Sequence, residues 1–340
     1  MNLATLVSDA GGAGAIVGRA GVLAASAGVI GACLFRITVV RPVAGRGTAT
    51  TAVERLLAEI GLAAAIILVV VTPLRLLTQA SAFALPGDAL LPLVRLVLAT
   101  AWGHAAVVQF AGAVAAALGF HFARAERTER AERTEGTSSA SRPWAWPLAT
   151  VGAMLLAGAP AWMGHAAASE RFTALAVATD VAHMAAAGGW AGGVMILALV
   201  ARASLEPVGA GTASRLSRAS AGHGHADIAP ALGPLISAFR VPALSCASLL
   251  LATGVLAALL RLRAPSDFWS SPYGLVLVAK LVLVAIAAAL GREHSRTAGV
   301  RASGAGARAV AKSIATEALI FLAVFAVTAL LTGSPPPGSG

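Results

Sequence analysis

Apolar residues in this chain run in long blocks, separated by shorter stretches rich in arginine, glycine and serine. A helix needs about 20 mostly apolar residues to cross the hydrocarbon core of a bilayer. Eight blocks meet that length, at residues 12–35, 57–80, 90–120, 145–164, 173–201, 232–260, 273–291 and 310–332. None alternates with a period of two, and all are too long for barrel strands. The pattern therefore predicts an all-α polytopic membrane bundle of about eight transmembrane helices. The third block is longer than a crossing needs and is expected to tilt or to project into the cytoplasm.

The basic residues orient the spans, because cytoplasmic loops collect Arg and Lys. Arg36, Arg41, Arg46 and Arg55 follow the first span, and Arg124, Arg127, Arg130, Arg133 and Arg142 follow the third. Arg202, Arg215, Arg218 and Arg240 follow the fifth, and Arg292, Arg296, Arg301, Arg308 and Lys312 follow the seventh. The intervening loops are poorer, with Arg75 and Arg95, then Arg171, then Arg261 and Arg263. No basic residue precedes Gly18 or follows Thr332. The expected topology is N-out and C-out in a bacterial cytoplasmic (inner) membrane. The first block carries Asp9 where a signal peptide would be positive, so it reads as a retained helix. Three regions follow: helices one to three with a charged loop (1–144), helices four and five (145–231), and helices six to eight with a tail expected to be disordered (232–340).

Composition agrees with this reading. Of 340 residues, 58% are hydrophobic and 12% charged, against about 25% charged in soluble domains. The net charge of +10 is dispersed over alternate loops, which argues against a continuous basic groove for nucleic acid. Cys33 and Cys246 both lie in apolar segments, and the absence of a CxxC pair removes the usual thiol-redox and structural-zinc patterns. No loop is large enough for a soluble catalytic domain, so function belongs within the membrane or at its outer edge.

Ionisable residues inside a span are costly and mark candidate functional positions. They are His104, Asp180, His183 and Glu317, with His165 at a membrane boundary. At about 1.5 Å per residue, His104 is expected about 20 Å below the outer face if its helix starts near Leu91. His183 is expected about 15 Å below the same face. Asp180 and His183 share a helix face by their i,i+3 spacing, and Asp180 is placed to orient the imidazole through its second ring nitrogen. Met163 and Met184 stand beside the histidines, and thioether with imidazole suits copper. Simpler roles remain open: His104 as an interhelical hydrogen-bonding group, Asp180 paired with Arg171, and Glu317 either on an ion path or bridged to Lys312. GGWAGG at 188–193 holds two small-xxx-small pairs that permit close helix approach. Trp144, Trp146, Trp162 and Trp269 read as interfacial anchors.

Several stretches resemble the copper resistance D (CopD) family of bacterial inner-membrane proteins, which includes YcnJ-like copper uptake proteins. They are ATG at Ala252–Gly254, SPYGLVLVAKLVLV at 271–284 with Tyr273, Gly274 and Lys280, and a last span with Glu317 that closes on LTGSPPP. WMGHAAA (162–168) and HMAAAGGWAGGV (183–194) are similar to the family's histidine motifs and carry His165, His183, Trp190, Gly192 and Gly193. The segment GREHSR departs from the family pattern, and His104 has no counterpart there. The resemblance implies copper movement across, or copper handling within, the inner membrane. His165 and Met163 would collect copper at the outer face, from a periplasmic chaperone if one delivers it, and His183 with Asp180 would carry it inward. Two other readings stay open. One is a haem b electron carrier or metal reductase with axial ligands drawn from His104, His165 and His183. The other is a copper-delivery factor for oxidase assembly.

Overall fold

The computed structural model describes residues 7–8, 10–43, 49–132, 142–163, 173–205, 231–261, 264–301 and 305–334. All regular structure among them is helical. α1 (Gly12–Val43) carries a π-helical stretch at Arg36–Val40. α2 is Ala49–Ser81, α3 Leu90–Leu98, α4 Ala101–Glu132 and α5 Ala145–Met163. α6 begins as Thr173–Ala187, opens into a π-helix at Gly188–Gly192 and continues as Gly193–Leu205. α7 is Leu232–Arg261, α8 Asp267–Ser270, α9 Pro272–Arg301 and α10 Ala305–Gly333. Eight of these elements, all but α3 and α8, are long and apolar enough to cross a membrane. The chain is a multi-pass membrane protein.

The third apolar block is not one helix. It breaks at Ala99–Thr100 into α3 and α4, because Thr100 acts as an N-cap: its Oγ1 accepts from the Gly103 amide at 3.1 Å. The unbroken apolar run hides this cap from a hydropathy reading. A second boundary has similar local chemistry. Ser271 is extended (φ −107°, ψ 146°), as a residue before proline prefers. Pro272 then takes the first helical position, and Ser271 Oγ accepts from the Gly274 amide at 3.0 Å. The SPYG segment is thus a helix start.

α1 and α6 are the two most enclosed spans, with 67% and 72% of their apolar windows buried against 6% for α7. α1 packs against α2, α5, α6 and α10, and α6 also packs against α7 and α10. Their approach depends on glycine. A Cβ on Gly31 would lie 2.8 Å from Gly192 backbone atoms, and one on Gly192 would strike the Ala27 carbonyl. The second pair turns the other way: a Cβ on Gly189 would meet Cys246 Sγ at 2.7 Å, and one on Gly193 would strike the Phe239 ring. One helix thus presents one small-residue pair to α1 and the other to α7. At the far end of α1, Arg36 pairs with Glu54 of α2 at 3.0 Å and lies 4.3 Å from the centroid of Trp146 in α5. That contact packs Trp146, 8% exposed, inward against α1.

Both ends of the described chain meet at one end of the bundle, where the Arg19 guanidinium of α1 lies against Gly333 of α10. This end is called the terminal end below.

Candidate metal-handling site in the α6–α10 cavity

His183 sits ten residues into α6, about 15 Å along the helix from Thr173, and is half-buried. Its Nδ1 lies 2.9 Å from Thr253 Oγ1 of α7. The Thr253 hydroxyl has one proton, which it donates to the Leu249 carbonyl at 2.7 Å. With that proton so placed Thr253 accepts from His183 Nδ1, an arrangement that in a neutral imidazole leaves the lone pair on Nε2. At Nδ1 the partner of the imidazole is Thr253. Gly254, next in the chain, brings the α7 backbone beside the ring, since a Cβ there would stand 3.8 Å from His183 Cε1.

The ring borders a cavity of about 610 Å³ lined by residues of α6, α7, α8, α9 and α10, with Leu23 contributed by α1. Consecutive helical residues diverge by about 100°, yet Met184 lines the same cavity because it wraps around α6. Trp190, on the π-helical turn, also lines it. Trp190 is fixed edge-on to Phe321, with centroids 5.1 Å apart. Most of the remaining wall is aliphatic or aromatic, and Lys280 of α9 adds a cationic side chain. Lys280 lies eight residues into its helix, about 12 Å from its start, so it reaches nearly the depth of His183.

The other sequence candidates fall elsewhere. His104 stands three residues into α4 and is exposed on that helix. The break before Ala101 removes the ten residues that had placed it deep in the membrane. No α4 or α5 residue lines the cavity, so His104 and Met163 are not brought to His183. His165 lies outside the described residues, as does Arg171. Asp180 is half-buried, one turn from His183 towards the terminal end. Glu317 is 2% exposed and faces α9, where Gly291 leaves room for it: a Cβ there would come within 3.0 Å of its Oε1. Lys312 is exposed, so the two side chains point to different environments. Among the described residues no group of three or more His, Cys, Asp or Glu is placed to hold a metal ion.

Thr253 and Lys280 were missed as site residues although both lie in quoted motifs. A lysine eight residues into an apolar span is itself a signal that a charge count by loops overlooks. Thr253 has no such signal, because a threonine in a helix ordinarily satisfies its own backbone.

Some of the helices that wall this cavity resemble a known family. Residues 234–331 match copper resistance protein D. Over those residues the chain is similar to copper resistance protein D. No curated protein matches the chain, and no solved structure does. The matched stretch comprises nearly all of α7 and continues through α8 and α9 into α10, so Thr253, Lys280 and Phe321 belong to it. His183, Met184 and Trp190 come from α6, outside the matched residues. The cavity is assembled between the matched stretch and the helix that precedes it.

Proposed function

We propose that this protein handles copper in the bacterial cytoplasmic membrane, as a transport or homeostasis protein, with His183 as the intramembrane ligand and copper as its cargo. The supporting observation is the His183–Thr253 pair: an imidazole held at Nδ1 by Thr253, beside the Met184 thioether, in a cavity walled by residues that match copper resistance protein D. Imidazole and thioether suit Cu(I). A small donor set with no acidic cluster suits an ion in passage better than one held permanently. With the N-out, C-out orientation argued from the arginines, the terminal end faces outward. In this reading His165 and Met163 collect copper at the outer face, from a periplasmic chaperone, and Asp180 with His183 takes it inward. We take import as the direction.

Cavity size favours a second reading. About 610 Å³ with Trp190, Phe268, Phe321 and Phe325 in its wall is far more than a bare ion needs. It suits a flat apolar group such as haem b, with His183 as an axial ligand. The protein would then be an electron carrier or metal reductase. Delivery of copper to an oxidase during assembly would use the same ligands as transport.

Purified protein in mild detergent, analysed for bound metal and by visible spectroscopy, separates these readings. Copper bound by the wild type and lost in His183→Ala, with α-helical circular dichroism unchanged, is the expected result. Copper binding that survives His183→Ala removes the site assignment. A reducible Soret band with stoichiometric iron replaces the first reading with the second.

A further inference from the structure

The cavity beside His183 has room for more than a metal ion. Its volume of about 610 Å³ falls within the range of small-molecule sites, which are mostly apolar with a few polar groups that fix orientation. Part of its wall is also turned outward. Leu251 is 67% exposed, Val255 52% and Leu259 73% on α7, and Leu281 is 48% exposed on α9. All four line the cavity. Leu251 stands ten residues from the Arg261 end of α7, and Leu281 nine residues from the Pro272 start of α9. Those spacings put them about 15 Å and 13 Å in from the helix ends. At that depth an exposed side chain meets hydrocarbon, so the cavity opens sideways into the bilayer between α7 and α9. A molecule dissolved in the membrane reaches it without passing through water.

The chemistry of the wall selects among such molecules. Trp190, Phe268, Phe321 and Phe325 present aromatic rings to the cavity, which suits a flat ligand. Lys280 lines the same cavity, and its ammonium group is a donor of three hydrogen bonds and an acceptor of none. Thr328 is there too, but its hydroxyl proton goes to the Val324 carbonyl at 2.7 Å. Among the described residues no aspartate or glutamate lines the cavity, so an amine-bearing ligand would meet no carboxylate. The complementary ligand is flat and apolar and carries acceptor oxygens. An anionic lipid headgroup also matches a lysine. It would have to be drawn about 12 Å below the start of α9 to reach this one, and a charge at that depth is costly. A neutral ring with carbonyl groups avoids that cost.

We propose that the cavity binds a membrane quinone, with a ring carbonyl accepting from the Lys280 ammonium group and the ring against the aromatic wall. The isoprenoid tail leaves over Leu251, Val255 and Leu259, which follow at i, i+4 and i+8 and so share one strip of α7. The inference goes beyond copper handling and rests on the copper reading in one respect: a haem b in this cavity would take the same space.

The test is titration of the full chain in mild detergent with decylubiquinone, read by quenching of tryptophan fluorescence, since Trp190 lines the cavity. The wild type is expected to show saturable quenching. Lys280→Met, which keeps an unbranched side chain and removes the donors, should weaken binding about tenfold, as loss of a hydrogen bond to a charged group implies. Ala258→Phe, which places a ring inside the cavity wall, should abolish the saturable phase. Lys312→Met, at an exposed position of α10, should bind as the wild type does. If Lys280→Met does not purify folded, Ala258→Phe decides. Equal quenching in the wild type, Lys280→Met and Ala258→Phe overturns the proposal, because partition of the quinone into the micelle gives that result. So does decanoate that displaces decylubiquinone at equal concentration, which would make this a site for anionic amphiphiles. Copper bound by a protein that shows no saturable quinone binding strikes this inference alone. A reducible Soret band in the purified protein strikes it together with the copper reading.

Discussion

His183 owes its chemistry to a hydroxyl on another helix. Thr253 gives its proton to the Leu249 carbonyl and accepts from Nδ1, so a neutral side chain holds one ring nitrogen in place. Groups that orient a metal-binding histidine in this manner contribute about 10- to 100-fold in metal affinity. Thr253→Val, which keeps the shape and removes the hydroxyl, is expected to weaken Cu(I) binding by about tenfold on that scale, with melting temperature little changed. Thr253→Ser restores the acceptor and should bind nearly as the wild type does. Competition against a chromophoric Cu(I) chelator measures both variants, and equal affinity in all three proteins would remove Thr253 from the site. Asp180 had stronger sequence credentials for this role, being ionisable and on the same face of α6. Spacing along one helix is visible in a sequence, whereas a partner 70 residues away on another helix is not.

The π-helical turn at Gly188–Gly192 connects the cavity to the packing of the bundle. It places Trp190 in the cavity wall while its glycines meet α1 on one side and α7 on the other. Gly192→Ala would drive a methyl group into the Ala27 carbonyl. The expected loss is about 1–3 kcal/mol, the usual cost of forcing extra volume into packed structure. Gly158→Ala on α5, where a Cβ meets nothing within 4 Å, should leave stability unchanged. Tryptophan fluorescence during unfolding in detergent reads both variants, and equal stabilities would show that α1 and α6 yield more readily than their contact implies. The small-residue pairs were visible in the sequence. Their division between two neighbours was not, since it follows from the rotation of α6 about its own axis.

Across the whole molecule, the orientation of the terminal end decides which compartment supplies the cavity. Cysteines introduced as Ser339→Cys and Ser138→Cys, in a background lacking Cys33 and Cys246, report that orientation. A membrane-impermeant maleimide applied to intact spheroplasts is expected to label Ser339→Cys and to spare Ser138→Cys. The reverse pattern would put the arginine-rich loops outside and the mouth of the cavity inside. The sequence by itself determined the eight spans and the all-α class, because a bilayer accepts little else: about 20 apolar residues with every backbone group bonded internally. It also narrowed the suspects to a few ionisable residues, because charge in hydrocarbon is expensive. Only the tertiary structure decided which of them meet. His183 joins Met184, Trp190, Thr253 and Lys280, while His104 turns outward on α4 and Glu317 packs against α9. Hydropathy is a property of each segment alone, whereas a shared cavity depends on how helices pair and rotate, and that is settled by close contacts such as Gly31 against Gly192.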